Sequence, residues 1–322
     1  MCALFGFLDY GHQLSPKVLQ KLVQTLTNAS EVRGDHASGI AYNRDNHLTI
    51  YKRPKPAHKL KFMLPDGTSA VMGHTRFTTQ GSEKQNHNNH PFRGNAGTEF
   101  ALAHNGVLYN DKQLRRDRYL PMTRIETDSF IAVQLLEAQG SLDFDSLKSM
   151  AEDVCGSYTF TILTEQNTLF LIKGSSPLYL IHFPELELYV YSSTAEIMHE
   201  ALEKVGMLLV YHEIIDVTDG EIVKLTPDGM IERGTFQVNE FDFLPHSRYH
   251  LGTLSSFSTI KPIATANDDA LEELLELCGY FGMDEDTVMY LWDCGYTLDE
   301  IEEFLWEPDL LRREFHLDGC EL

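Results

Sequence analysis

A chain of 322 residues, 43% of them hydrophobic, is long enough for a well-buried core in one large domain with a smaller one beside it. The formal net charge of −22 argues against nonspecific binding to DNA or RNA, whose phosphates attract Lys and Arg. No stretch approaches the roughly 20 apolar residues of a membrane span; the N-terminus lacks a basic, apolar leader, and five scattered cysteines without a CxxC pattern suggest a reducing cytoplasm.

The predicted elements begin with "CALFGFL", a short buried strand. "SPKVLQKLVQTLTNAS" follows as a helix, with Ser15 as N-cap and Pro16 at the first helical position. Val18, Leu19, Leu22, Val23 and Leu26 form its apolar face. "SGIAYN" and "LTIYKR" alternate as a strand pair. "AVMGHTRF" and "FALAHNGVLYN" are strands that each end in a polar cluster. "TDSFIAVQLLEAQG" and "DFDSLKSMAEDVCG" read as amphipathic helices, "SYTFTILTEQNTLFLIKG" as a hairpin, and "PLYLIHFPELELYVYSS" as two strands. "TAEIMHEALEKVG" is a helix, and "YHEIIDVTDGEIVKLTPDGMIERGTFQV" closes the region as strands joined by turns. Strands and helices do not alternate strictly, which favours an antiparallel α+β architecture. This region is assigned to residues 2–245. A small, polar, Pro-containing linker follows at 246–266, then an acidic helical module at 267–322. Residues 265–322 hold 18 acidic residues against two arginines, so −16 of the net charge lies there. In the module "TLDEIEEFL" carries a capping box, Thr297 with Glu300. Leu274, Leu275, Leu277, Val288, Leu291, Ile301, Phe304 and Leu305 are its candidate core.

Cys2 stands directly behind the initiator methionine. Removal of Met1, expected before so small a residue, would place a thiol and a free α-amino group on one residue. A thiol has a pKa of about 8.5 and an α-amino group one of about 8, so such a residue carries its own general base. The alternative is a small buried hydrophobe at the start of a strand. In "HNG", Asn105 and the Gly106 N–H are candidate oxyanion donors; the alternative is an Asn-Gly turn. Arg76, ending the strand in "GHTRFTTQG", is suited to clamping a carboxylate. Asp128 in "ETDSF" either caps a helix or binds a cationic amine. Together these parts fit a free amino acid whose side-chain amide is attacked by Cys2, with Arg76 on the α-carboxylate and Asp128 on the α-ammonium.

On these motifs the sequence resembles the class II, N-terminal-nucleophile glutamine amidotransferases. It is similar to the glutaminase domains of glucosamine-6-phosphate synthase and amidophosphoribosyltransferase. The resemblance covers roughly residues 2–240, in "MCALFGF", "RGDHASGIA", "GHTRFTTQG", "NNHPF", "AHNG", "ETDSF" and "GSSPL", in the family's order. It implies an αββα sandwich of two antiparallel sheets and ammonia release from L-glutamine through a γ-glutamyl thioester on Cys2. It also implies that Thr79 belongs to the glutamine-binding loop and that Arg33 packs behind the nucleophile. Departures are Ala3 where the family usually has Gly, His36 and Ala37 for an Asp and a Ser, Phe77 for the synthase's Trp, and Gln80 for its His. About 80 residues follow residue 240, too few for the second catalytic domain these enzymes use, so the expectation is either that ammonia passes to a separate partner protein or that the enzyme hydrolyses or transfers a small amide by itself.

No cofactor is expected, and the spacing of His87, His90 and His104 does not present a three-ligand metal site. The basic run "YKRPKPAHKLKF" either contacts a phosphate or an acidic partner, or is a solvated loop. Two competing readings are another amidase of the same fold acting on a different amide, and a non-catalytic regulatory or scaffold protein.

Overall fold

The computed structural model describes residues 2–44 and 47–239, with Leu274, Leu275, Cys278, Met283, Thr287, Val288, Ile301 and Leu305. Contacts divide the chain into two units, Met1–Glu240 and Phe241–Leu322.

In the first unit, β1 (Ala3–Asp9) leads into α1 (Pro16–Ser30), then β2 (Ala37–Arg44), β3 (His47–Arg53) and β4 (Ala70–Arg76). Next come β5 (Phe92–Asn95), β6 (Glu99–Leu108), α2 (Asp111–Asp117), α3 (Phe130–Gln139) and α4 (Phe144–Asp153). The unit continues through β7 (Gly156–Thr164), β8 (Leu169–Lys173), β9 (Tyr179–Phe183), β10 (Leu188–Ser192) and α5 (Ala195–Val205). It ends with β11 (Glu213–Ile215), β12 (Glu221–Leu225) and β13 (Ile231–Thr235).

The strands form a seven-stranded sheet, ordered β11-β9-β10-β1-β4-β2-β3, and a six-stranded sheet, ordered β13-β12-β8-β7-β6-β5. Every pairing is antiparallel. Because strand side chains alternate between faces, each sheet contributes to two cores. Leu4, Leu8 and Met72 of the first sheet meet Ala101, Ala103, Leu163 and Leu171 of the second in an inner layer. The other face of the first sheet, with Phe5, Phe7 and Val71, packs on Leu22 and Leu26 of α1 and Met198 and Leu202 of α5. The outer face of the second sheet, with Leu102, Phe160 and Ile172, packs on Ile131 and Leu135 of α3 and Leu147 and Met150 of α4. The result is the expected αββα sandwich.

The helices start for local reasons. Ser15 accepts from Val18 N, with Pro16 behind it. Asp143 and Ser146 form a reciprocal capping box on α4. Thr194 caps α5, which ends at left-handed Gly206. One expectation is corrected: α3 is not amphipathic. Residues Ile131 to Leu136 are all buried, because α3 is enclosed between the second sheet and its helical neighbours. Two elements escaped the sequence reading, α2 and the four-residue β5.

In the second unit, Leu274, Leu275, Cys278, Thr287, Val288, Ile301 and Leu305 are helical. Leu274, Cys278, Met283, Val288, Ile301 and Leu305 are buried. The linker, the Thr297 capping box, Leu277, Leu291 and Phe304 lie outside the described residues. Among the described residues no helix is long and apolar enough to cross a membrane.

Candidate active site

Strand alternation assembles the site. Leu4 and Leu8 of β1 and Met72 of β4 face the opposite sheet, so Cys2, His74 and Arg76 share that inner face. Ala101 and Ala103 of β6 face back, so Asn105 does too. Ala3 pairs with Thr75 and Ala37 with Arg76, which brings the start of β1 and the end of β4 side by side.

Cys2 is buried, and its Sγ contacts Phe77 O at 3.5 Å. Arg33 Nε donates to Cys2 O at 2.9 Å, and Leu4 N donates to Ser193 Oγ at 2.8 Å. The start of β1 is thereby held on both sides of Ala3. Gly34 lies against the Arg76–Phe77 peptide, where a Cβ would come within 2.5 Å of Phe77 N. Burial raises the Cys2 thiol above its ordinary value; the Arg76 guanidinium pulls it back and Asp128 opposes that pull.

Arg76 is 3% exposed. Its Nη1 donates to Asn89 Oδ1 at 2.7 Å, and its Nη2 to Gln80 O at 2.5 Å and Gly81 O at 2.9 Å. Burial lowers its pKa, against the opposing pull of Cys2, Asp128, Glu83 and Glu126. Asp128 is also buried, and it does not cap α3, whose N-cap Ser129 makes no side-chain capping bond. Asp128 Oδ2 instead accepts from Leu108 N at 2.7 Å, and Oδ1 from Ser129 Oγ at 3.2 Å. The carboxylate is thus anchored to β6 beside the oxyanion candidates.

"HNG" does not form a turn. β6 runs on to Leu108, with Asn105 opposite Thr159 and Gly106 opposite Tyr158 on β7. Gly106 has φ +139°, and a Cβ there would lie 1.9 Å from Ser157 O, so only glycine fits. Asn105 is fully buried, and neither its Nδ2 nor its Oδ1 has a hydrogen-bond partner among the described residues. His104, one residue back, is fixed through Nδ1 and Ser129 Oγ at 2.8 Å, and its carbonyl contacts His74 Nε2 at 3.0 Å. His74 packs against His90 with ring centroids 4.2 Å apart and planes tilted by 34°. Burial, then Arg76, pushes His74 down to about 3, and burial holds His90 and His104 low as well. These rings are neutral near pH 7. Among the described residues no three His, Cys, Asp or Glu side chains converge as a metal site.

The structure therefore brings Cys2, Arg76 and Asp128 within electrostatic reach of one another, with Arg33 behind Cys2 and Asn105 on the facing sheet. Thr79 is different: it is exposed on the loop after β4, and no polar contact joins it to Arg76 or Asp128.

Comparison with known proteins adds likenesses of sequence and fold. Residues 74–200 match the family model of a glutamine amidotransferase domain. The isomerizing glutamine–fructose-6-phosphate aminotransferase of Bacillus cereus (strain ATCC 10987 / NRS 248) is 29% identical over 238 residues, covering 71% of this chain and 36% of that protein. Its counterpart in Staphylococcus aureus (strain Mu50 / ATCC 700699) is 29% identical over 254 residues, covering 73% and 39%. The glutamine phosphoribosylpyrophosphate amidotransferase of B. subtilis, solved with ADP and GMP, shares the fold with a TM-score of 0.57 at 24% identity, over 74% of this chain and 50% of that one. Residues 74–200 are thus similar to a glutamine amidotransferase domain. The chain spans little more than a third of the length of the aminotransferases it matches.

Two residues that organise the site were not singled out from the sequence. Asn89 ties Arg76 to the turn at 86–89 and donates from Nδ2 to Glu83 O at 2.8 Å. Gln80 joins the two substrate candidates, accepting from Arg76 through its carbonyl and from Asp128 N through Oε1 at 3.1 Å. Gln80 was visible only as a departure from the family pattern, and Asn89 only as part of "NNHPF". Two other departures touch each other: His36 stacks on Phe77 with centroids 5.0 Å apart, and its Nδ1 accepts from Thr78 N at 3.0 Å.

Proposed function

We propose that this domain releases ammonia from L-glutamine through a γ-glutamyl thioester on Cys2. The observation that carries the reading is the Asn105 amide, fully buried on the inner face with no hydrogen-bond partner among the described residues. A buried amide left unpaired costs about 1–3 kcal/mol, a cost that is recovered when a ligand oxygen arrives.

In the reaction we infer, loss of Met1 frees the Cys2 α-amine, which takes the thiol proton as Sγ attacks the glutamine amide carbon. Asn105 Nδ2 and the Gly106 N–H hold the resulting oxyanion. The C–N bond breaks as the ammonium returns its proton to the leaving nitrogen, and water then hydrolyses the thioester to glutamate. Arg76 takes the substrate α-carboxylate and Asp128 its α-ammonium, while Thr79 closes over the substrate from the loop. Arg33 positions Cys2 through its carbonyl. The ammonia acceptor lies outside this domain, and we assign it to a separate partner protein.

The test is an intact mass spectrum before and after treatment with 6-diazo-5-oxo-norleucine. A chain lacking Met1 that gains one adduct on Cys2, prevented by glutamine, supports the reading. A processed chain that stays unlabelled overturns it.

A further inference from the structure

A second polar site lies at the open edge of the sandwich, where β3 ends one sheet and β5 the other. A pocket of about 290 Å³ opens there, lined by Ile50, Lys52, Arg53, Asn86, Pro91 and Arg93. Three of the six are cations and none is a carboxylate. Lys52 donates from Nζ to Asn89 O and, at 2.9 Å, to Pro91 O, and lies 5.0 Å from the centroid of Phe92. Carbonyl dipoles and a π face solvate this ammonium, but they do not neutralise it. Burial, then the nearby Arg76 charge, draws its pKa down to about 8. Arg53 donates to Lys52 O at 2.8 Å and lies over the Tyr51 ring at 4.6 Å; no carboxylate pairs with it among the described residues. Arg93 has an acidic partner, the Glu99 carboxylate at 2.7 Å, and donates to Leu48 O at 2.7 Å. Exposed Lys55 continues the basic run just beyond the pocket. In a chain with a net charge of −22, this edge sets three cations against one carboxylate partner, Glu99.

We propose that the edge pocket binds the phosphoryl group of a small phosphorylated molecule, held by Lys52, Arg53 and Arg93. Two guanidinium groups suit tetrahedral oxyanions through paired N–H donors, and an ammonium adds a point charge. The volume exceeds that of one phosphate, which leaves room for an attached group toward solvent. The pocket is wired to the amidotransferase site. Asn86 donates to Lys52 O at 3.0 Å, Asn89 donates to Asn86 Oδ1 at 3.3 Å, and Asn89 Oδ1 accepts from Arg76. On the glutamine reading above, occupancy would therefore be felt at the carboxylate clamp.

The site is tested by titration calorimetry with inorganic pyrophosphate at fixed ionic strength, with citrate as a carboxylate control of comparable charge. Wild type should bind one pyrophosphate per chain and citrate far more weakly. The R53Q/R93Q double variant changes two exposed side chains and should stay folded. It should bind pyrophosphate at least about tenfold more weakly, as expected for losing charge-assisted hydrogen bonds, and Lys52→Gln should weaken binding similarly. Equal binding of pyrophosphate and citrate would overturn the proposal, as would a double variant that binds like wild type. The heat of binding needs no glutamine turnover, so failure here leaves the Cys2 reading untouched.

Discussion

The two ends of β1 carry buried polar groups of different kinds. At the Asp9 end, Tyr10 Oη and His182 Nε2 are 2.8 Å apart, Tyr189 stacks on His182 at 4.3 Å, and Tyr189 Oη donates to Gly229 O at 3.0 Å. Asp9 Oδ1 accepts from His12 N at 2.9 Å; its other oxygen has no partner among the described residues, and burial raises its pKa. At the Cys2 end, Asn105 has no partner at either side-chain atom among the described residues, and Arg76 donates to loop oxygens within five residues of itself and to Asn89. Buried polarity at the Asp9 end mostly completes the fold, whereas at the Cys2 end it remains available to a ligand. The contrast predicts which substitutions damage stability and which damage chemistry.

The largest effect should come from Cys2→Ala. On the proposed reading it removes the attacking atom, so ammonia release from glutamine should fall to background and the diazo-analogue adduct should vanish, both readable by ammonia assay and mass spectrometry. Asn105→Ala is the sharper probe. Loss of an oxyanion donor costs about 10²–10³ in kcat, while deleting a buried amide that bonds to nothing should leave the melting temperature unchanged or raised. A variant that is destabilised yet fully active would make Asn105 structural and erase the contrast.

The histidine layer behind Arg76 gives a pH test. His74 has a folded pKa of about 3, below its ordinary 6.5, because of burial and then Arg76, with His104 and Lys52 adding to the depression. The unfolded chain therefore binds the proton more readily, and stability must fall as the pH drops from about 6.5 towards 3. Asp128, anchored to Leu108 N, faces the same layer across His104. Chemical denaturation of His74→Gln between pH 7 and 4 should show a shallower loss than wild type. An unchanged slope would assign the acid sensitivity to other groups, His90 first.

Much of this was legible because two periodicities suffice. Apolar runs located β1, β4 and β6 through β10, alternation located β2 and β3, and the Ser15 cap marked α1. α2 was not legible because "DKQLRRD" has a single apolar residue. β5 was missed because four residues with a single large apolar side chain, Phe92, are too short a run for alternation to register. α3 was found but misjudged, since periodicity cannot show that a helix is covered on every side. For the site, residue types at strand ends pointed to Cys2, Arg76 and Asn105. The resemblance added Arg33, which the structure places on Cys2 O, and Thr79, which it leaves exposed. Asn89 and Gln80 were hidden because their roles depend on how residues 77–91 fold back onto Arg76, a tertiary path that no local pattern encodes.

The smallest predicted effect tests the other end of β1. Tyr10→Phe keeps the ring that packs beside His182, with centroids 6.1 Å apart, and removes only the hydroxyl. The lost bond to His182 Nε2 is partly buried, so the expected cost is about 1 kcal/mol, or a melting temperature lower by about 2–4 °C for a domain of this size. His182 is held below its ordinary pKa by burial and is neutral near pH 7, so removing the hydroxyl strands a ring nitrogen rather than a charge, which keeps the penalty modest. Glutaminase kcat/KM should stay within about twofold, because β1 transmits only a rigid, paired backbone from Asp9 to Cys2. A tenfold loss of activity with stability intact would mean that the two ends are coupled through the strand, and that the aromatic cluster belongs to the function rather than to the fold alone.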